Sequence, residues 1–160
     1  MTPEEVGTRF GGTASVSGGG EFARVTVDVP PEDWAAAIAA ARADGYDFFD
    51  WLSAVDEVGS FQIVAHLWSV PAKGGVLLRT SVPQDNAAVP SIVDIYPGAA
   101  WHERETHEMF GVDFAGHPGL KPLLLPPEFE GHPLRKEFVL AARVAKAGWF
   151  PGLVAMAFLR

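Results

Sequence analysis

Two short connections, 56–60 and 71–75, limit the fold of this chain more than any other feature. They separate three strand-like apolar runs at about 46–54, 61–70 and 76–82, and they consist of the turn-formers Asp56-Glu57-Val58-Gly59-Ser60 and Pro71-Ala72-Lys73-Gly74-Gly75. A parallel return needs a crossover of roughly a dozen residues or more, so runs this close must pair as antiparallel hairpins. Apolar residues fall on both alternating faces of 61–70, so the periodicity alone does not say which face meets a helix and which a partner.

Upstream, Ala23, Val25, Val27 and Val29 alternate with Arg24, Thr26 and Asp28, the period of a half-buried strand. Pro30-Pro31 end it, and Glu32-Asp33 open a helix in which Trp34, Ile38 and Ala41 share one face before Asp44-Gly45 stop it. One helix inserted among hairpin strands predicts an α+β fold. Its sheet is expected to be mostly antiparallel, of about four strands, with helices on one face. Residues 1–20 end in Ser17-Gly18-Gly19-Gly20 and read as a flexible leader.

A second helix is expected over about 97–110, stopping at Gly111. Its body, Trp101-His102-Glu103-Arg104-Glu105-Thr106-His107-Glu108, is polar almost all round, which suits a solvated helix or one facing another chain. Glu103 with His107, and Arg104 with Glu108, are i,i+4 neighbours able to pair locally, each pair being worth only about 0.2–0.5 kcal/mol. A peptidase-type zinc site needs two histidines at i and i+4. His102 and His107 stand five apart, roughly 140° around the helix, so no metal site is expected.

Beyond Gly111 the chain is rich in proline and glycine, and Gly-His-Pro occurs twice, at 116–118 and 131–133. A long irregular stretch carrying Leu123-Leu124-Leu125 reads as an extended, proline-rich strap lying across a partner. His117 and His132 precede prolines and lack any evident nucleophile, so they read as hydrogen-bonding anchors rather than catalytic bases.

The chain has no cysteine in 160 residues, which excludes disulfides, a thiol nucleophile and any thiolate-held iron–sulfur cluster of its own. A formal net charge of -8 argues against nucleic acid as a partner and provides no polybasic lipid anchor. The N-terminus lacks a signal-peptide pattern, and no apolar run reaches the roughly 20 residues of a membrane span. The expected location is cytoplasmic, touching a membrane only through partners.

The motif Glu103-Arg104-Glu105-Thr106-His107-Glu108-Met109-Phe110-Gly111, then Phe114-Ala115-Gly116-His117-Pro118, then Glu130-Gly131-His132-Pro133-Leu134-Arg135-Lys136, resembles the signature of the C-type subunits of NADH:quinone oxidoreductase, the thirty-kilodalton subunit family of respiratory complex I. The motif covers about 101–138, and a weaker likeness of element order extends back to about residue 22. The resemblance implies an α+β domain whose C-terminal extension wraps neighbouring subunits on the cytoplasmic side of the membrane. It also implies no redox centre in this chain, with NAD, FMN, iron–sulfur clusters and quinone held by partners. Those partners would be the quinone-site D-type subunit and the cluster-bearing B-type and I-type subunits.

Two departures stand out. Lys121-Pro122 occupies the place of the family's usual basic pair, and the tail 147–160 is unusually apolar. The expected organisation is a leader at 1–20, an α+β domain at 21–111, and an extended partner-binding segment with its tail at 112–160. The expected partner-interface residues are Glu103, Arg104, Glu105, His117, Pro118, His132, Pro133, Arg135 and Lys136, with no catalytic, cofactor or metal residue. Two alternatives remain. The first is the equivalent subunit of an energy-converting hydrogenase or of a quinone oxidoreductase with another donor. The second is a stand-alone hydrolase built on the histidines and Glu103.

Overall fold

The structure, a computed structural model, describes residues 2–139. The three expected runs form β3 (Phe48–Glu57), β4 (Ser60–Ser69) and β5 (Gly74–Pro83), paired as successive antiparallel hairpins. The earlier alternating segment is β2 (Arg24–Asp28), and it joins β5 in parallel. The sheet has five strands in the order β1-β2-β5-β4-β3, one more than expected. The fold class is α+β with a mostly antiparallel sheet, as the hairpin argument requires.

The fifth strand, β1 (Thr13–Ser17), corrects the reading of residues 1–20 as a flexible leader. Before it stands helix α1 (Pro3–Arg9), opened by a capping box in which Thr2 Oγ1 accepts from the Glu5 amide and Glu5 accepts from the Thr2 amide. Val6 and Phe10 enter the core, and the Phe10 ring meets Tyr46 edge-on with centroids 6.0 Å apart. Arg9 pairs with Asp44. Gly12 allows this closure, because a Cβ there would overlap the Asp28 carbonyl oxygen. The glycine run that suggests looseness instead builds the connection between β1 and β2, which includes a short 3-10 turn at Gly20–Phe22.

Helix α2 (Trp34–Ala43) buries Trp34, Ala37, Ile38 and Ala41, the stripe its spacing predicts. It packs with helix α3 (Ala99–Phe110) over one face of the sheet, which is lined by Leu52, Phe61, Ile63, Leu67 and Leu78 in a single core cluster. Along β4 every second residue from Phe61 to Ser69 is buried, and the alternate residues are half-exposed. Register places Trp51, Val55, Val64, His66, Trp68 and Leu77 on that opposite face. Among the described residues no helix covers it.

The connection from β5 carries a short strand β6 (Ala88–Pro90). It pairs in parallel with β7 (Asp113–Ala115), which begins three residues after the end of α3. The segment expected to begin a separate unit at residue 112 therefore starts within the body's own packing, with Val112 and Phe114 buried. The apolar tail 147–160 lies outside the described residues. No described helix is long and apolar enough to cross a membrane.

Candidate functional site

Helix α3 and the strap that follows it carry almost every residue singled out by the motif. Gly98 precedes the helix, and Gly111 ends it in the left-handed conformation at φ 76°. The inner stripe is Ala99, Glu103, Thr106 and Phe110, at helical spacing, with a carboxylate in the middle of it. Glu103 is 0% exposed. One carboxylate oxygen accepts the Ile92 amide at 2.7 Å, and the other accepts the Ser91 hydroxyl at 2.6 Å. Burial pushes its pKa above the ordinary carboxylate value, against the opposing pull of the Ile92 amide, the Ser91 hydroxyl and nearby His117. A side chain with no exposed surface cannot reach another chain, so Glu103 is a pin between α3 and the loop before it. That corrects its assignment to a partner interface.

The outer side of α3 binds the strap. Arg104 donates to the carbonyls of Lys121 and Pro122, both at 2.9 Å. Glu108 accepts three consecutive strap amides, those of Leu123 (3.2 Å), Leu124 (2.8 Å) and Leu125 (3.0 Å). The expected Arg104–Glu108 pairing gives way to these backbone contacts, because a proline-rich segment has no ladder of its own to satisfy its polar groups. Lys121-Pro122, the departure from the family's basic pair, is held through its carbonyls and leaves the Lys121 side chain exposed.

The two Gly-His-Pro tripeptides sit at opposite ends of α3. His117 donates from Nε2 to the Ala100 carbonyl at 3.2 Å and accepts the Gly119 amide on Nδ1 at 2.9 Å. At the other end the last four helix carbonyls, which have no partner within a helix, are all capped. The His107 carbonyl accepts the Gly111 amide at 2.8 Å. The Glu108 carbonyl accepts His132 at 2.9 Å, the Met109 carbonyl accepts the Leu134 amide at 3.2 Å, and the Phe110 carbonyl accepts Arg135 at 2.6 Å. The Arg135 cation thus complements the helix dipole, and it also lies 5.1 Å from the Phe61 ring centre. Gly111 makes room for this cap, since a Cβ there would meet both His132 and Arg135 at 2.6 Å. The Lys136 amide then reaches Asp56, 80 residues earlier, at 2.7 Å.

The histidines face different partners. His102 accepts the Leu52 amide at 3.4 Å and meets the Phe49 ring edge-on, which covers part of the open edge of β3. His107 donates to the Val112 carbonyl at 2.8 Å. Among the described residues no group of three histidine, cysteine or acidic side chains could hold a metal ion. A cleft of about 590 Å³ opens elsewhere, lined by Thr8, Thr13, Asp28 and Arg79 among others. None of the motif histidines lines it.

Of the remaining interface candidates, Glu105, Pro118 and Lys136 are exposed. Arg104, His117, His132, Pro133 and Arg135 are half-buried against the chain itself. The outer surface of helix and strap presents Trp101, Leu124, Leu134 and Phe129 to solvent. If Glu108 is the strap's main fastening, Glu108→Ala should speed hydrogen exchange at the amides of Leu123, Leu124 and Leu125 by roughly 10- to 100-fold. Exchange in β4 should stay unchanged. Unaltered rates at those three amides would show that the strap is held by other contacts.

The chain matches the family described as the respiratory-chain NADH dehydrogenase 30 Kd subunit over residues 27–144. It is 44% identical over 100 residues to the NADH-quinone oxidoreductase C subunit of Roseiflexus castenholzii, a match covering 61% of this chain and 58% of that one. With the C subunit of Salinispora tropica it shares 37% identity over 123 residues, 72% of this chain and 50% of the relative. These matches therefore span between half and three fifths of the relatives' own length. The C/D subunit of Pseudomonas fluorescens is 42% identical over 78 residues, which are 49% of this chain and 13% of that longer one. Among solved structures, the trypsin-resistant fragment (1-134) of Nqo5 shares the fold with TM-score 0.62 at 24% identity, over 72% of this chain and 94% of the fragment. A chain of the membrane-bound sulfane sulfur reductase, an archaeal respiratory membrane complex, matches with TM-score 0.72 at 27% identity, over 88% of this chain and 83% of that one. The strap motif folded onto α3, the five-stranded sheet behind it and the family match over 27–144 lead to one conclusion: this chain belongs to the respiratory-chain NADH dehydrogenase 30 kDa subunit family.

Proposed function

We propose that the chain is a structural subunit of the peripheral arm of a proton-translocating NADH:quinone oxidoreductase. It organises the neighbouring quinone-site D-type subunit and the cluster-bearing B-type and I-type subunits on the cytoplasmic side of the membrane. NAD, FMN, iron–sulfur clusters and quinone are held by those partners, and no catalytic residue is assigned to this chain. The observation that carries the reading is the build of the strap. Glu108, His132 and Arg135 fasten the strap to α3, while Trp101, Leu124 and Leu134 remain turned outward. A pre-ordered surface loses little conformational entropy on docking, which suits a part that fixes the spacing of its neighbours. The names of the C-type and C/D relatives support the same assignment.

Glu105 and Lys136 are the exposed charged residues among the expected interface positions, so they can be changed without disturbing the fold. The pair Glu105→Lys and Lys136→Glu is expected to cut the amount of assembled oxidoreductase several-fold in native gels of the host's membranes. The isolated chain should unfold at its usual temperature. Full assembly with the doubly reversed chain would refute the interface role of this surface.

A second machine is favoured by one observation, the likeness to a chain of the archaeal sulfane sulfur reductase complex over 88% of this chain. On that reading the chain plays the same organising part in a respiratory complex with another electron donor. Oxidation of NADH by the purified parent complex decides between the two.

A further inference from the structure

Among the described residues His117 is the one histidine bonded through both ring nitrogens. Nε2 faces the Ala100 carbonyl at 3.2 Å, and Nδ1 faces the Gly119 amide at 2.9 Å. A carbonyl can only accept and an amide can only donate, so these partners fix the ring as the neutral Nε2–H tautomer. A second proton has one place to go, the Nδ1 lone pair that the Gly119 amide already occupies. Two donors would then stand face to face where a hydrogen bond had been.

The other histidines are built differently. His107 and His132 give Nδ1–H to the carbonyls of Val112 and Glu108, and His66 gives it to the Asp50 carboxylate. A second proton on any of these rings adds to Nε2 and leaves the bond at Nδ1 intact. His102 also accepts on Nδ1, but from the Leu52 amide at 3.4 Å, a much longer contact.

The surroundings of His117 work against its charging and confine the result. Its ring lies on the first turn of α3, the positive end of the helix dipole, where a cation is disfavoured. Glu103, further along α3, is the group whose charge is coupled to it in the opposite sense. Arg104 is spent on the Lys121 and Pro122 carbonyls, and Asp94, Asp113 and Lys121 are exposed. Phe114 is buried just before the turn, and Leu120 packs against the core just after it. Arg104 and Glu108 hold the chain from 121 to 125. Losing the bond to Gly119 therefore frees only the residues 116–119.

We propose that His117 is a proton-operated latch. Neutral, it closes the 116–119 turn onto α3; with a second proton it opens that turn and leaves the rest of the strap fastened. The latch belongs to the folded chain itself, so it goes beyond the organising role proposed above and holds whichever complex the chain serves. It gives the start of the strap two states, between which local pH chooses.

The test is made on the full chain by NMR. At neutral pH the nitrogen–proton correlations of the His117 ring should report the Nε2–H tautomer. Between about pH 8 and 5, where histidines charge, protection of the Gly119 amide should fall roughly 10-fold, the loss of one hydrogen bond. Protection is taken relative to an unfolded peptide at each pH, and its fall should follow the same curve as the His117 ring signals. Protection at Leu124, held by Glu108, should stay constant. In His117→Gln, which keeps Glu103 but has no ring to charge, protection at Gly119 should not depend on pH. If that variant does not fold, the coincidence of the two wild-type curves decides by itself. An Nδ1–H tautomer at neutral pH, Gly119 protection that ignores the ring's titration, or a pH dependence that survives in His117→Gln would each overturn the latch. Loss of protection at Leu124 together with Gly119 would overturn it as well, because the strap would then be released as a whole.

Discussion

Glu103→Leu is expected to lower the unfolding free energy by about 3 kcal/mol, because it leaves a buried amide and a half-buried hydroxyl without their acceptor. The Ile92 amide and the Ser91 hydroxyl both end on this carboxylate, and Ile92 and Glu103 are each 0% exposed. An unsatisfied buried donor costs about 1–3 kcal/mol, and full burial keeps solvent from replacing the lost bond. Glu103→Gln retains one acceptor oxygen and should cost less. The pair of variants also fixes the sign of a pH effect. Burial disfavours the charged form, so the folded-state pKa lies above the ordinary 4.5. The folded chain then holds the proton more tightly than the unfolded one. The stability this contributes is fully present below 4.5 and is lost as pH rises through the elevated folded value. Wild type should therefore gain stability relative to Glu103→Gln as pH falls from neutral toward about 5. Denaturant unfolding of both chains across that range measures the difference, and a flat or rising difference with pH would refute the buried-charge account.

That same residue marks where a sequence can be read and where it misleads. The hairpins β3–β4 and β4–β5 follow from connections too short for any other return, and α2 from its spacing of Trp34, Ile38 and Ala41. These are local constraints, and local constraints are visible in one dimension. The parallel pairing of β2 with β5 is not local, since register joins Val25 to Val76 across two intervening strands. Glycines mask the N-terminal segment, although the capping pair Thr2 and Glu5 and the spacing of Val6 to Phe10 are a helix signal. Glu103 resembles a surface charge because the helix around it is polar. Its position is the sign that it belongs to the buried stripe, since Ala99, Glu103, Thr106 and Phe110 stand at i, i+4, i+7 and i+11 of one face. The strap motif is recognisable as a unit, but its chemistry is spent within the chain before it reaches any other. Its histidines and Arg135 serve first as caps on the helix that precedes them. Basic side chains shortly after a glycine stop are suited to capping a helix C-terminus, and that physical clue is present in Gly111, His132 and Arg135.

The point where sheet, helix and strap meet is Phe61, and its removal should have the largest effect of any single truncation in the core. The ring is 0% exposed. It stands edge-on to Phe110 with centroids 5.9 Å apart, and Arg135 lies over it at 5.1 Å. Phe61→Ala is expected to cost about 3–5 kcal/mol, a large fraction of the roughly 5–15 kcal/mol that holds a domain folded. A general loosening and a local release are separable. Ile38→Ala, a cavity of similar cost, removes stability from α2, the other helix of the core. If Phe61 joins the three parts, exchange at the Leu134 and Lys136 amides should accelerate more in Phe61→Ala than in Ile38→Ala, after allowance for the difference in global stability. These amides bond the Met109 carbonyl and Asp56, which flank the ring from the helix and the sheet. Equal acceleration in both variants would mean the strap is released only by global unfolding. Faster exchange confined to Phe61→Ala would mean that the packing of one aromatic ring in β4 sets how firmly the family's motif is presented.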